Sequence, residues 1–151
     1  AGRSKVEGEV IIQTYNEKHF VLRKVLENDY SGFYAKEKDD REKMGYPPFT
    51  RIALIETKDT SMEKAKGAAY DFYKEIIKYK NYLKISDPTT AQIFKLVNNY
   101  RYHILIKSYK DKDPGGAILR KAILDSWTEF NKKSRYRDIK LYYDVDPQSI
   151  M

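Results

Sequence analysis

The chain has 151 residues, 41% of them hydrophobic, and 29 Lys and Arg against 22 Asp and Glu give it a net charge of +7. That apolar content allows one domain with a real core, or a small domain with an attached segment. There is no cysteine, which excludes disulfides and thiolate metal sites, and no apolar run approaches the ~18 residues of a membrane-spanning helix.

The aromatics are mostly Tyr, 14 against 6 Phe and 1 Trp, rings with a polar tip that suit half-buried positions. His19 and His103 are isolated and make no metal-binding spacing. Residues 1–48 carry nine charges of each sign, whereas residues 49–151 carry 20 cations and 13 anions. The whole excess lies on the second segment, which points to a polyanionic partner there. No secretory signal is visible, so a cytoplasmic location is expected.

In chain order, Ala1-Gly2-Arg3 has no visible beginning and is expected to follow on from a longer chain. Gly8 to Thr14 carries the continuous apolar run Val10-Ile11-Ile12, the pattern of a strand buried on both sides. It is expected to be an orphan strand whose sheet lies in a preceding domain. A helix is predicted over 19–27, with Asn16 as cap and Phe20, Leu22, Val25 and Leu26 apolar. A second, over 33–44, follows Ser31 and is closed by Gly45. Its charges alternate in sign at helical neighbours such as Glu37 and Arg41, the pattern of a solvated face. Tyr46-Pro47-Pro48-Phe49 cannot continue a helix and holds the chain extended. It divides residues 1–48 from a domain over 49–151.

In that domain a strand over 49–57 alternates, with Ile52 and Leu54 on one side and Arg51, Ala53 and Ile55 on the other. A helix opens with the capping box Thr60-Ser61-Met62-Glu63 and carries the stripe Ala65, Ala68, Ala69, Phe72 and Ile76. Two strands between 87 and 107 meet at Asn98-Asn99, a pair that tolerates the positive φ of a tight turn. The second of them sets Tyr100, Tyr102, Ile104 and Ile106 against Arg101, His103, Leu105 and Lys107. A further helix starts at Asp113-Pro114 and runs to Asn131. A last strand over 139–145 puts Ile139, Leu141 and Tyr143 on one face and Lys140 and Tyr142 on the other.

The order β-α-β-β-α-β predicts an α+β, ferredoxin-like domain, with two helices on one face of a four-stranded antiparallel sheet and the first and third strands central. The open face would gather Arg51, Arg101, His103, Lys107, Lys140 and Tyr142. Such a face contacts phosphates, with Tyr142 as a stacking ring, or packs on another domain, since Ala53, Ile55 and Leu105 would share it. No catalytic constellation is present. Asp144 and Asp146 have no third ligand, and Gly115-Gly116 lacks the spacing of a phosphate loop.

The ordered set Ala1-Gly2-Arg3, Gly8 to Thr14, Tyr30 with Phe33-Tyr34, Tyr46-Pro-Pro-Phe49, Tyr100-Arg-Tyr102 and Asp144-Val-Asp-Pro147 resembles the C-terminal end of primosomal protein N′, the PriA family of bacterial replication-restart helicases. The resemblance covers essentially the whole chain. It implies a 3′-to-5′ DNA helicase of superfamily 2 that recognises stalled forks and acts with other primosome proteins. It also implies ATP, Mg and Zn sites upstream of this stretch, and no cofactor within it. Arg3 then matches an arginine that faces the nucleotide's γ-phosphate in the family's second helicase lobe. The same resemblance implies binding of single-stranded or forked DNA. It further implies binding of the acidic tail of single-stranded-DNA-binding protein near the second domain helix, where Arg120 and Lys121 lie. The stretch itself is then a non-catalytic DNA- and partner-binding piece. The alternative is an RNA-binding ferredoxin-like module, which would need Tyr100 and Tyr102 facing solvent beside Arg101.

Overall fold

Ile52, Ala53, Leu54 and Ile55 are four consecutive buried residues, so the strand that carries them is covered on both faces. A computed structural model, which describes residues 10–136 and 138–148, shows this strand, β1 (Thr50–Asp59), at the centre of a sheet. It pairs antiparallel with β4 (Asn99–Tyr109) on one side and β5 (Lys140–Val145) on the other. Two further strands, β2 (Lys84–Ile85) and β3 (Thr89–Leu96), run along the outer edge of β4. They act as one interrupted strand. Pro88 cannot donate to a ladder, and Ser86 bridges the break: its N–H donates to the Leu105 carbonyl (2.8 Å) and its Oγ accepts from the Leu105 N–H (2.9 Å).

Two helices, α3 (Met62–Ile76) and α4 (Ala117–Asn131), pack on one face of the sheet. Ala68, Phe72 and Ile76 of α3 and Leu119, Ala122, Ile123 and Phe130 of α4 meet Ala53, Ile55, Ile104 and Ile106. This is the ferredoxin-like α+β architecture, with β4 and β1 central. The α3 stripe is buried as the spacing predicts. Its N-cap is Ser61, whose hydroxyl accepts from the Lys64 N–H at 3.3 Å. Asp71, also buried on α3, accepts from Tyr136 Oη (2.9 Å), Lys74 Nζ (2.9 Å) and Arg135, so its charge is compensated.

The structure corrects the sequence reading of β1. Ala53 and Ile55, opposite Ile106 and Ile104, face the helices. Arg51 shares their parity and therefore lies on the helix side, while Ile52 and Leu54 lie on the other. Alternation cannot orient a strand that is apolar on both faces; the register against β4 does so.

The β3–β4 turn is also displaced by one residue. Leu96 pairs with Asn99, and the two central residues are Val97 (φ 46°) and Asn98 (φ 58°). Asn99 stabilises the turn through Nδ2, which donates to the Val97 carbonyl at 2.7 Å. Val97 is a β-branched residue in the left-handed region, which costs about 1–2 kcal/mol, and it is 85% exposed. Val97→Asn is therefore expected to stabilise the protein by about 0.5–1 kcal/mol, because Asn tolerates this conformation. A higher urea midpoint at unchanged slope checks it; a lower midpoint would contradict the assignment of strain.

The chain divides into two units, one to Asp40 and one from Arg41. In the first, α1 (Phe20–Leu26) and the start of α2 (Tyr30–Met44) stack Phe20 on Phe33, with ring centroids 6.2 Å apart. Asp29 caps α2 by accepting from the Gly32 N–H (2.8 Å), so the helix begins before Ser31. The N-cap of α1 is His19; Asn16 contributes only a backbone carbonyl. Gly8, Glu9 and Arg3 lie outside the described residues. Residues 10–14 form no strand, and Val10 and Ile11 are exposed. A strand needs a partner for its backbone groups, and none is present for this one among the described residues.

Candidate partner groove and nucleic-acid face

Arg51 stands at the start of β1 and reaches toward the loop before α4. Its Nη1 donates to the Asp113 carbonyl (2.9 Å) and its Nη2 to the Pro114 carbonyl (2.6 Å). That loop ends at Gly116, the N-cap of α4, with φ +70°. A Cβ there would sit 3.3 Å from Arg51 Cδ and Nε, so glycine serves both the conformation and the close approach. Asp113 lies three residues before the cap rather than at it. Its buried carboxylate accepts from the N–H groups of Ile118 and Leu119 (3.1 Å each) and from Ser108 Oγ (2.9 Å). Burial pushes the Asp113 carboxyl up, but the Leu119, Ile118 and Ser108 donors outweigh it and leave it below its ordinary value.

Between this helix start and the end of β5 runs a groove of about 340 Å³. Leu119, Ile123, Leu124, Tyr143 and Val145 line it with apolar side chains, and Arg51, Arg120 and Asp146 line it with charged ones. Trp127 braces Tyr143 edge-on, with centroids 5.6 Å apart. Arg51 uses one N–H of each Nη on the loop carbonyls, which leaves three of its five donors. Lys121 does not line the groove. It pairs with Asp125 (2.9 Å), which also accepts from Tyr79 Oη (2.5 Å).

The sheet face away from the helices is built differently from the one the sequence suggested. On β4 it carries Arg101, His103, Leu105 and Lys107, as alternation predicts, but Arg101 is 9% and His103 5% exposed. Both turn onto Glu56 of β1. A single carboxylate oxygen accepts from Arg101 Nε (2.9 Å), Arg101 Nη2 (2.6 Å) and His103 Nε2 (2.8 Å). Burial raises the Glu56 carboxyl, but the bonds from His103 and Arg101 more than offset it and hold it at about 2. Glu56 is then an ionised, acceptor-only group, so His103 Nε2 carries the proton and donates it. Ile52 and Leu54, beside this trio, are buried as well.

Lys107 is also committed. Its Nζ donates to the Met44 carbonyl (2.9 Å) and lies 4.1 Å from the Tyr46 ring centroid. Desolvation and then the neighbouring Lys84 lower its pKa. Lys140 and Tyr142 are exposed, with Tyr142 48% accessible. The register adds Lys58, which the sequence reading did not single out. It stands opposite Lys140 on β5 and opposite Arg101 on β4, with its Nζ 5.2 Å from the Tyr142 ring. The signal was present, since Lys58 shares the parity of Glu56 on β1, but it became legible only once that parity was known. Tyr100 and Tyr102 lie on the helix side: Tyr102 is buried with Ala65 and Ala69, and both rings pack on Phe94. They form no stacking surface beside Arg101. Among the described residues no group of three or more His, Asp or Glu is placed to hold a metal, and no helix is long and apolar enough to cross a membrane.

Comparison with known proteins decides the family. The model of the primosomal protein N C-terminal domain matches residues 42–148. The chain belongs to that family. It is similar to the replication restart protein PriA of Thermotoga maritima, 36% identical over 102 residues, which are 68% of this chain and 13% of that protein. It is 31% identical to PriA of Haemophilus influenzae over 154 residues, covering 99% of this chain and 20% of that protein. The likeness to PriA of Bacillus subtilis is 28% over 159 residues, covering 100% and 18%. The chain thus spans about a fifth or less of the length of these relatives.

Proposed function

We propose that this chain serves replication restart as a non-catalytic module, docking an acidic partner peptide in the groove and contacting DNA from the far sheet face. The observation that carries this reading is the groove itself. An apolar lining with two arginines against one carboxylate, Asp146, whose Oδ1 already accepts from the Ile52 N–H (3.0 Å), suits a peptide with carboxylates and an apolar or aromatic end, the chemistry of the tail of single-stranded-DNA-binding protein. Arg120 binds the carboxylate by charge-assisted hydrogen bonds, and Arg51, already fixed by two carbonyls, adds a second charge without having to be ordered. Lys121 takes no part. DNA meets Lys58, Lys140 and Tyr142, and at the other end of the face Lys107, rather than Arg51; Arg101 contributes as a structural cation behind them. The motor, with its ATP, Mg and Zn and the nucleotide-sensing role assigned to Arg3, belongs to a longer cytoplasmic protein that acts with other primosome components. The domain takes no cofactor of its own.

The test is a chemical-shift titration with an acidic peptide that ends in Phe. Shifts are expected at Leu119, Ile123, Tyr143 and Val145. Arg120→Glu is expected to weaken binding at least about tenfold, equivalent to ~1.4 kcal/mol, and Lys121→Glu to change it little. Equal losses from the two variants, or shifts confined to the far sheet face, would defeat the groove assignment. ATP hydrolysis that stays with the repurified chain would defeat the non-catalytic one.

A further inference from the structure

The far sheet face holds two cationic pairs, not one basic track. At one end Lys58 and Lys140 stand opposite each other on β1 and β5. At the other, Lys84 and Lys107 stand opposite each other on β2 and β4. Like charges directly opposite on neighbouring strands destabilise a sheet, so each pair is held at a cost that a bound anion would relieve. No ion pair engages Lys58, Lys140 or Lys84 among the described residues, unlike Arg101. Each pair also has an aromatic ring: Tyr142 lies against Lys58 and Tyr46 against Lys107. Between them the face is closed, since Ile52, Leu54 and His103 are buried and Glu56 neutralises the charge.

The parity of β4 puts both pairs on the same face. Arg101, in the Lys58 row, and Lys107 are six residues apart on that strand. At ~3.4 Å per residue this separates the pairs by about 20 Å along the strands, and the two strand spacings of ~4.8 Å between the pair centres lengthen the diagonal to about 23 Å.

We infer that the two lysine pairs are separate phosphate clamps for one single strand of nucleic acid, which bridges the closed centre of the face and touches the protein only at its two ends. This rests on the DNA-contact reading above. The exposed Tyr142 ring favours a single strand, whose bases are free to stack, over a duplex, whose bases are not. At a stacked rise of ~3.4 Å per nucleotide the bridge needs about six to seven nucleotides, and fewer when the strand is extended. A shorter oligonucleotide reaches one clamp at a time. A longer one gains the effective concentration of a tethered second site.

The experiment measures the affinity of the full 151-residue chain for oligothymidylates of about 3 to about 15 nucleotides at two salt concentrations. Affinity is expected to rise in a step of tenfold or more between about four and eight nucleotides. The log–log salt slope should change from roughly −1.4 for two phosphates to roughly −2.8 for four, at ~0.7 per phosphate. Lys84→Ala, at an exposed position, and the pair Lys58→Ala with Lys140→Ala should each abolish the step while leaving binding of the shortest oligonucleotide within a few-fold. A smooth length dependence with constant slope would overturn the two-clamp geometry and leave DNA contact standing. Loss of all binding from either variant would assign a single site and overturn it too. The same step with a blunt duplex of matching length would remove the single-strand assignment. Absence of binding at every length would defeat the DNA-contact reading itself.

Discussion

Glu56→Ala is expected to destabilise the domain by about 3–5 kcal/mol, the usual loss when one partner of a buried ion pair is removed. Arg101 and His103 would remain buried without the carboxylate that accepts three of their hydrogen bonds. Urea unfolding at neutral pH checks this; a loss below about 1 kcal/mol would mean that the trio is solvated as a surface pair is. The pH dependence has the sign of a depressed carboxylate. Above an ordinary value of 4.5 Glu56 is ionised in the folded and unfolded chains alike, and its full contribution is present. As pH falls from 4.5 toward about 2, the unfolded chain takes up the proton first and the contribution shrinks; below about 2 it is gone. The span corresponds to about 3 kcal/mol. Glu56→Gln keeps an acceptor but has no proton to take up. Its stability is therefore expected to fall less steeply over that window, and an unchanged pH profile would contradict the assignment.

Asp113→Ala is expected to cost about 3 kcal/mol, the second largest effect. The carboxylate satisfies two backbone N–H groups of the first α4 turn and the Ser108 hydroxyl, all in a buried setting. Each unsatisfied buried group costs about 1–3 kcal/mol. Asp113→Asn retains one acceptor oxygen and should recover part of the loss. The functional consequence separates this residue from a mere stabiliser. The loop that Asp113 anchors also offers the two carbonyls that hold Arg51, so acidic-peptide affinity should fall with stability in both variants even where the protein remains folded. Unchanged peptide affinity in a folded Asp113→Asn protein would show that the loop does not position Arg51.

From α1 onward, apart from the two-residue β2, the order of the elements was legible in the sequence because each has a local signal, whereas the apolar run at 10–12 signalled a strand that residues 10–14 do not form. The α3 stripe recurs at helical spacing, β4 alternates with charged residues on one side only, and Gly45 closes α2 with φ +63°. The hairpin was legible, but not its register: the Asn pair marked the turn, while pairing of Leu96 with Asn99 put Val97 at its centre. The parity of β1 could not be read from the chain, since Ile52 and Leu54 on one face look like Ala53 and Ile55 on the other. Only pairing with β4 distinguishes them, and that choice moves Arg51 from the sheet face to the groove. Charge behaved in the same way. A count of cations says nothing of which are spent on buried carboxylates, because Glu56 and Arg101 lie 45 residues apart. Residue type sets how much charge a face can carry. Long-range register decides which of those charges remain for a partner.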